Sequence, residues 1–239
     1  MPTSRVIWIT GASSGIGHAL AEVFVHHGDT VIASARNLAK LEELKAGLAS
    51  APGVCQVRRC DVGDERQVQD VGESIIKELG LIDLLINNAG VTYFKDFTAT
   101  TTQEFDEVIS TNLRGLFLTT KAVLPSMLQR EAGVIINILS YAGKVTYTGS
   151  SAYAAAKAGA QAMMDVVRAE TRGKGIKIVN VSPGAVLTPI WHPKVRERYG
   201  HLMMNPAEVA KVLFDLSMHP ASIMIEDIII RPQAGDLKV

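Results

Sequence analysis

The sequence predicts an α/β fold: a doubly wound, seven-stranded parallel sheet with helices on both faces. Three observations predict it. Short β-branched runs alternate with longer stretches of helical period along the 239 residues, the pattern of successive βαβ units. The runs are almost continuously apolar, as strands buried on both sides must be. With 47% hydrophobic and 20% charged residues, the chain can bury a core of the size such a sheet needs.

The elements follow in order. Val6-Ile7-Trp8-Ile9 is the first strand, followed by a helix near 15 to 28, the strand Thr30-Val31-Ile32-Ala33-Ser34 and a helix from about 38 to 49. Val54 to Cys60 forms the third strand, and a helix near 64 to 79 leads to Ile82-Asp83-Leu84-Leu85-Ile86. Helices near 102 to 130 precede Val134-Ile135-Ile136-Asn137-Ile138, and a helix from about 151 to 172 precedes Ile176 to Val181. A last helix near 206 to 217 leads to a strand from Ile223 to Ile230. No linker, charge block or repeat marks a boundary, so residues 1–239 are expected to form one doubly wound Rossmann domain.

Composition narrows the function classes. Lys plus Arg and Asp plus Glu each total 24, giving no net charge and no broad field to attract a nucleic acid or an anionic membrane. The start, Met1-Pro2-Thr3-Ser4-Arg5, leads into only a four-residue apolar run, too short for a secretion signal or a membrane span; a cytoplasmic protein is expected. Cys55 and Cys60 are five apart in one strand-like segment. That odd separation points them to opposite faces, so they are expected to be buried thiols. The six histidines have no metal-ligand spacing, and no metal site is expected.

The first strand runs into Thr10-Gly11-Ala12-Ser13-Ser14-Gly15-Ile16-Gly17, which opens the first helix. A glycine turn there lets backbone approach a pyrophosphate, and the helix N-terminus presents unpaired N–H groups to the anion. The spacing is G-x-x-x-G-x-G and departs from the commoner G-x-G-x-x-G dinucleotide fingerprint. Strand two ends Ala33-Ser34-Ala35-Arg36-Asn37 with no acid. In such folds a carboxylate about 20 residues past the glycines binds the ribose 2′-hydroxyl and repels a 2′-phosphate. Arg36 can instead bind a phosphate through its planar fork, with Ser13 and Ser14 as further donors. NADP(H) is favoured over NAD(H), the alternative being that Arg36 only starts a solvated helix.

Of the five tyrosines only Tyr153 has a lysine, Lys157, four residues on. One helical turn puts both on one face. A phenol titrates near ~10, and lowering it by about three units takes ~4 kcal/mol. A lysine cation about 4 Å away at an effective dielectric of ~20 supplies roughly that much. The pair is therefore expected to act as acid and base near neutrality.

The T-G-x-x-x-G-x-G turn, Asn87-Asn88-Ala89-Gly90 after strand four, Asp61-Val62 after strand three and Ser182-Pro183-Gly184 followed by Thr188 together resemble the short-chain dehydrogenase/reductase family over essentially the whole chain. The resemblance implies cofactor contacts at Gly11, Ser13, Ser14, Gly15, Ile16, Gly17, Arg36, Asp61, Val62, Asn88, Ala89 and Gly90, and at Tyr153, Lys157, Pro183, Gly184, Val186 and Thr188. It also implies that Lys157 bonds the nicotinamide ribose. Ser140, 13 residues before Tyr153, matches the family's catalytic serine, which can hold a substrate carbonyl. Asn112 matches its asparagine that supports a water relay to the lysine. Leu139 departs from the small residue many relatives carry before that serine. The implied reaction is NADP(H)-dependent interconversion of a carbonyl and a secondary alcohol. A non-catalytic NADPH-binding sensor is the rival class, and a 3-oxoacyl-(acyl carrier) reductase the rival within the enzymes.

Specificity is expected around Val91-Thr92-Tyr93-Phe94, near Tyr141 and Tyr147, and in a lid between Pro183 and Pro206 carrying Trp191, His192, Tyr199, Met203 and Met204. Ordinary packing of these aromatics is the alternative. The ending Ile230-Arg231-Pro232-Gln233-Ala234-Gly235-Asp236 looks like that of bacterial sepiapterin-reductase-like and hydroxy-acid-dehydrogenase-like members, pointing to a small polar carbonyl or hydroxy compound. The alanine-rich Tyr153 helix lets another helix approach closely, and a homodimer or homotetramer is expected.

Overall fold

The structure, a computed structural model, describes residues 4–237. Met1 to Thr3, the start of the segment read for a leader, lie outside the described residues, as do 238–239. The strands are β1 (Val6–Thr10), β2 (Thr30–Ala35), β3 (Val54–Arg59), β4 (Leu84–Asn87), β5 (Gly133–Ile138), β6 (Ile176–Pro183) and β7 (Asp227–Ile230). The helices are α1 (Gly15–His26), α2 (Leu38–Gly47), α3 (Glu65–Leu79), α4 (Thr102–Ile109), α5 (Gly115–Gln129), α6 (Ser151–Thr171), α7 (Pro193–Tyr199) and α8 (Pro206–Ser217). All seven strands pair in parallel, in the order β3-β2-β1-β4-β5-β6-β7. The order reverses between β1 and β4, where such a sheet opens its ligand crevice beyond the strand ends.

Strand periodicity divides the core into two layers. Ile7 and Ile9 of β1 pack with Leu20 and Phe24 of α1 and Leu213 of α8. Val6 and Trp8 pack on the other face with Val68 and Ile75 of α3, Val123 of α5 and Met164 of α6. Each fully buried side chain of this size contributes about 1.5–3 kcal/mol. Local signals set the helix ends. Asp64 and Asn37 accept from the backbone N–H three residues on, Thr101 and Glu104 form a capping box, and Gly80 closes α3 at φ 84°. Among the described residues no helix is long and apolar enough to cross a membrane.

Three apolar strands each carry one buried asparagine, and parallel register aligns Asn87, Asn137 and Asn180 side by side. Asn87 Nδ2 donates to Asn137 Oδ1 at 2.9 Å, Asn137 Nδ2 to Asn180 Oδ1 at 2.9 Å, and Asn180 Nδ2 to Asp165 Oδ1 at 3.0 Å. Thr119 closes the near end by donating to Asn87 Oδ1, and Arg168 Nη1 holds Asp165 at 2.9 Å.

Four expectations need correction. The strand expected from Ile223 pairs only from Asp227, because Ile223 turns back on Pro220 and the edge strand meets β6 only from Asn180 onward. β4 runs from Leu84 to Asn87, two residues later at its start than expected at Ile82, since Asp83 turns its carboxylate to the Val6 amide. Cys60 lies just past β3, yet Cys55 and Cys60 do sit in opposite core layers as free thiols. The supposed loop between Pro183 and Pro206 folds a helix, α7, with Pro193 in its first turn and the His192 side chain accepting from the Lys194 amide.

Candidate active site

The turn between β1 and α1 is built for a close neighbour. Gly11 and Gly15 have φ of +67° and +59°, and a Cβ on Gly17 would lie 2.4 Å from Asn88 Nδ2 and 2.6 Å from the Gly11 carbonyl. Asn88 explains that tightness, since its amide donates to the Thr10 and Gly11 carbonyls at 3.0 and 3.1 Å. Thr10 Oγ1 in turn accepts from the Asn88 and Ala89 amides. Asn88 therefore spends its donors on the turn's shape. Ser14 precedes α1 without forming a side-chain cap, which leaves the N–H groups of the first turn, at Gly15, Ile16 and Gly17, free to meet an outside anion. Ser13 and Ser14 are partly buried beside them, and Thr188 Cγ2 lies 3.0 Å from where a Gly15 Cβ would be.

Beyond the ends of β2 and β3, Arg36, Asp61 and Glu107 face one open depression of about 510 Å³ with Ser110, Thr111 and Arg114. Asp61 Oδ1 accepts from the Gly63 amide at 3.0 Å, and Val62 is buried. Arg36 is exposed and stands 3.3 Å from Glu107 Oε1.

The structure brings Asn112, Ser140, Tyr153 and Lys157 together at the C-terminal ends of β4 and β5. Asn112 lies in a π-helical turn, Ser110–Arg114, between α4 and α5, an inserted geometry that often marks functional positions. Its amide donates to the Val91 and Val108 carbonyls at 2.8 and 2.9 Å and its Oδ1 accepts from the Val91 amide. A Cβ on Gly90 would sit 2.8 Å from Asn112 Oδ1 and 3.7 Å from Lys157 Nζ. Between these groups lies a small cavity of about 10 Å³ lined by Thr10, Asn87, Asn112 and Lys157. That is about the space of one water with polar partners. Ser140 Oγ accepts from the Ala142 amide at 3.1 Å and acts on the Tyr153 phenol, whose pKa it pulls downward.

The electrostatics of the pair differ from the expectation. Lys157 is 4% exposed and donates to the Ile138 carbonyl at 2.8 Å, with its ammonium 5.6 Å from the Tyr153 ring centroid. Burial pushes Lys157 down to about 8 and pushes the Tyr153 phenol up, with only the Ser140 hydrogen bond opposing the latter. The expected lowering of the phenol is opposed by burial, which raises it, while the Lys157 ammonium is turned to the Ile138 carbonyl.

On the other side, the Gly184 amide donates to the Ile230 carbonyl, and the segment after Pro183 is closed at its base by the Val186–Met204 bridge. Trp191 Nε1 donates to the Val186 carbonyl at 3.1 Å and its ring stacks on Phe94, centroids 5.0 Å apart. Tyr141 lies under the Arg231 guanidinium at 4.2 Å, and Arg231 pairs with Asp236. Sequence reading assigned no role to the Thr10 hydroxyl, to Glu107 or to the asparagine ladder. The ladder had a signal, one asparagine in each of three apolar runs, whereas Glu107 had none, since its partners are 71 and 14 residues away.

A family model described as short chain dehydrogenase matches residues 5–198. A sepiapterin reductase from Chlorobaculum tepidum is 33% identical, covering 98% of each chain. A 2-(R)-hydroxypropyl-CoM dehydrogenase from Xanthobacter autotrophicus is 39% identical, covering 82% of each. Among solved structures, the closed form of a serine dehydrogenase complexed with NADP+ superimposes with a TM-score of 0.90 at 28% identity, covering 98% of each chain. A metagenomic short-chain oxidoreductase in complex with NADP gives 0.85 at 28% identity, covering 96% of this chain and 97% of that one.

Proposed function

The chain belongs to the short chain dehydrogenase family, and from that membership we propose that it is an NADP(H)-dependent oxidoreductase of one domain, interconverting a small polar carbonyl compound and its secondary alcohol. The observation that carries the reading is the convergence of Ser140, Tyr153 and Lys157 beside a one-water cavity that reaches Asn112. A dinucleotide fits the residues present: an uncapped helix N-terminus behind a glycine turn suits a pyrophosphate, and the acid-free end of β2 with Arg36 suits a 2′-phosphate. The relatives complexed with NADP support the same choice.

When bound, the nicotinamide supplies the hydride in reduction and accepts it in oxidation. The chain's part is proton delivery and orientation. In this reading Ser140 Oγ and the Tyr153 hydroxyl together hold the substrate oxygen. As that oxygen becomes basic, Tyr153 gives it the phenolic proton. A phenol pushed up by burial stays protonated at neutral pH but is a weaker acid, so its donation depends on stabilising the phenolate that results. The phenolate left behind draws on Lys157, whose ammonium is still mostly charged at neutral pH with a value of about 8. The water-sized cavity beside Asn112 offers the route by which the proton is replaced.

Assembly belongs to the same reading. Ala155, Ala158, Ala162 and Val166 make an exposed small-residue face on α6, which suits a homodimer or homotetramer, and a 25.7 kDa species alone in light scattering would reject it. Two unpaired buried thiols fit a reducing compartment such as the cytoplasm.

The test is loss of NADPH absorbance with a panel of carbonyl compounds, comparing the wild type with Tyr153→Phe. A rate that falls about 10²–10⁴-fold in the variant, with NADPH binding retained, is expected for loss of a general acid. Equal rates in both, or turnover in neither beside intact NADPH binding, would favour a sensor over an enzyme.

A further inference from the structure

The guanidinium of Arg36 is already engaged. Arg36 Nη1 lies 3.3 Å from Glu107 Oε1, while Glu107 Oε2 accepts a 2.5 Å hydrogen bond from Tyr93 Oη. One carboxylate therefore bridges the end of β2 to the segment that follows β4. Along the wall of the depression around it, Asp61, Asp64, Glu65 and Glu107 outnumber Arg36 and Arg114. Arg114 is committed elsewhere, paired with Glu65 at 3.5 Å and donating to the Gly63 carbonyl. Arg36 is thus the cation left for an anion at this end, and a second anion holds it.

The two halves of the bridge differ in strength. Arg36 and Glu107 side chains are 57% and 36% exposed, and an exposed pair is easily exchanged for another partner. The Tyr93 bond is short and partly buried, and the carboxylate's acceptance of it raises the phenol's pKa, so Tyr93 keeps its proton and its grip. When Arg36 turns to a new anion, Glu107 is held in place and faces that anion.

We infer that Glu107 is a specificity-determining residue for the cofactor: by competing for Arg36 while anchored to Tyr93, it selectively weakens binding of the 2′-phosphorylated dinucleotide. The inference rests on the reading that Arg36 meets the 2′-phosphate. Discrimination between NADPH and NADH is then set by the Arg36–Glu107 pair, and the missing acid at Ala35 is partly replaced by an acid reaching in from α4.

The experiment measures dissociation constants of 2′,5′-ADP and 5′-ADP by calorimetry on the whole protein, as wild type, Glu107→Gln and Arg36→Ala. Glutamine keeps the shape and can still accept from Tyr93, so the fold is preserved. The expected result is about fivefold tighter 2′,5′-ADP in Glu107→Gln, equivalent to about 1 kcal/mol at 1.4 kcal/mol per tenfold, with 5′-ADP unchanged. The inference is overturned alone if the wild type prefers 2′,5′-ADP, Arg36→Ala loses that preference, and Glu107→Gln leaves both ligands unchanged or tightens both equally. A wild type and Arg36→Ala that each bind the two ligands alike would overturn the NADP(H) reading, and the inference with it.

Discussion

Replacing Lys157 with methionine should stabilise the protein near neutral pH while removing its activity. The lysine is 4% exposed and its pKa falls from 10.5 to about 8, with burial as the cause. Holding the charge in that site therefore costs about 3 kcal/mol, from about 2.5 units at 1.36 kcal/mol each. Methionine removes that penalty and fills a similar volume, but it strands the Ile138 carbonyl that Lys157 Nζ bonds at 2.8 Å, at about 1–2 kcal/mol. The variant should be about 1–2 kcal/mol more stable at pH 6 to 7. The sign of the pH dependence is distinctive. A lysine whose folded pKa lies below its unfolded value destabilises fully below about 8, and the penalty lifts as pH rises from about 8 to 10.5. Wild-type stability should gain about 1.4 kcal/mol per pH unit over that window relative to the variant, and the two curves should cross near about pH 9. Urea unfolding of both proteins at intervals from pH 6 to 10 measures this, since other groups titrate in both and drop out of the difference. A difference that stays constant with pH, or a variant already less stable at pH 6, refutes the argument. In parallel, kcat/KM should fall at least about hundredfold.

Two further substitutions probe the scaffold. Asn137→Leu leaves Asn180 Oδ1 without its partner and Asn87 Nδ2 with only its 3.1 Å bond to Thr120 Oγ1 in a buried site, and should lower stability by about 1–3 kcal/mol, seen as a lower urea midpoint at unchanged slope. Gly17→Ala puts a methyl group 2.4 Å from Asn88 Nδ2, so the turn must open; dinucleotide affinity should fall at least about tenfold, since contacts made only by well-placed backbone N–H groups are lost, with far-ultraviolet circular dichroism unchanged.

Much of the fold was legible because its causes are local. Apolar runs and helical periodicity act over a few positions, so helix and strand order could be read directly. The candidate site residues Ser140, Tyr153, Lys157 and Asn112 were legible through ordered motifs, and the fold brings them to one place. What stayed hidden depends on where distant groups turn. Nothing near Lys157 in sequence says that its ammonium bonds the Ile138 carbonyl, or that burial raises the Tyr153 phenol. The Pro-Lys-Val-Arg run of α7 carries a helix start signal at His192-Pro193, but its aromatic neighbours suggested an irregular lid. Glu107 belongs to an ordinary amphipathic helix, and only tertiary packing brings it to Arg36.

The asparagine ladder acts as a datum line from which three loops are measured. Asn88 lies one residue beyond Asn87, Ser140 three beyond Asn137 and Pro183 three beyond Asn180, and these three asparagines sit at one level across adjacent strands. Slippage of one strand by one residue would displace its loop by about 3.3 Å, more than the length of a hydrogen bond. It would also set an amide against an aliphatic side chain in the dry centre of the sheet. The tolerance of the distances within the candidate site is therefore written into the buried interior of the sheet. Redesign of the pocket can vary the strand ends freely only while that level line is kept.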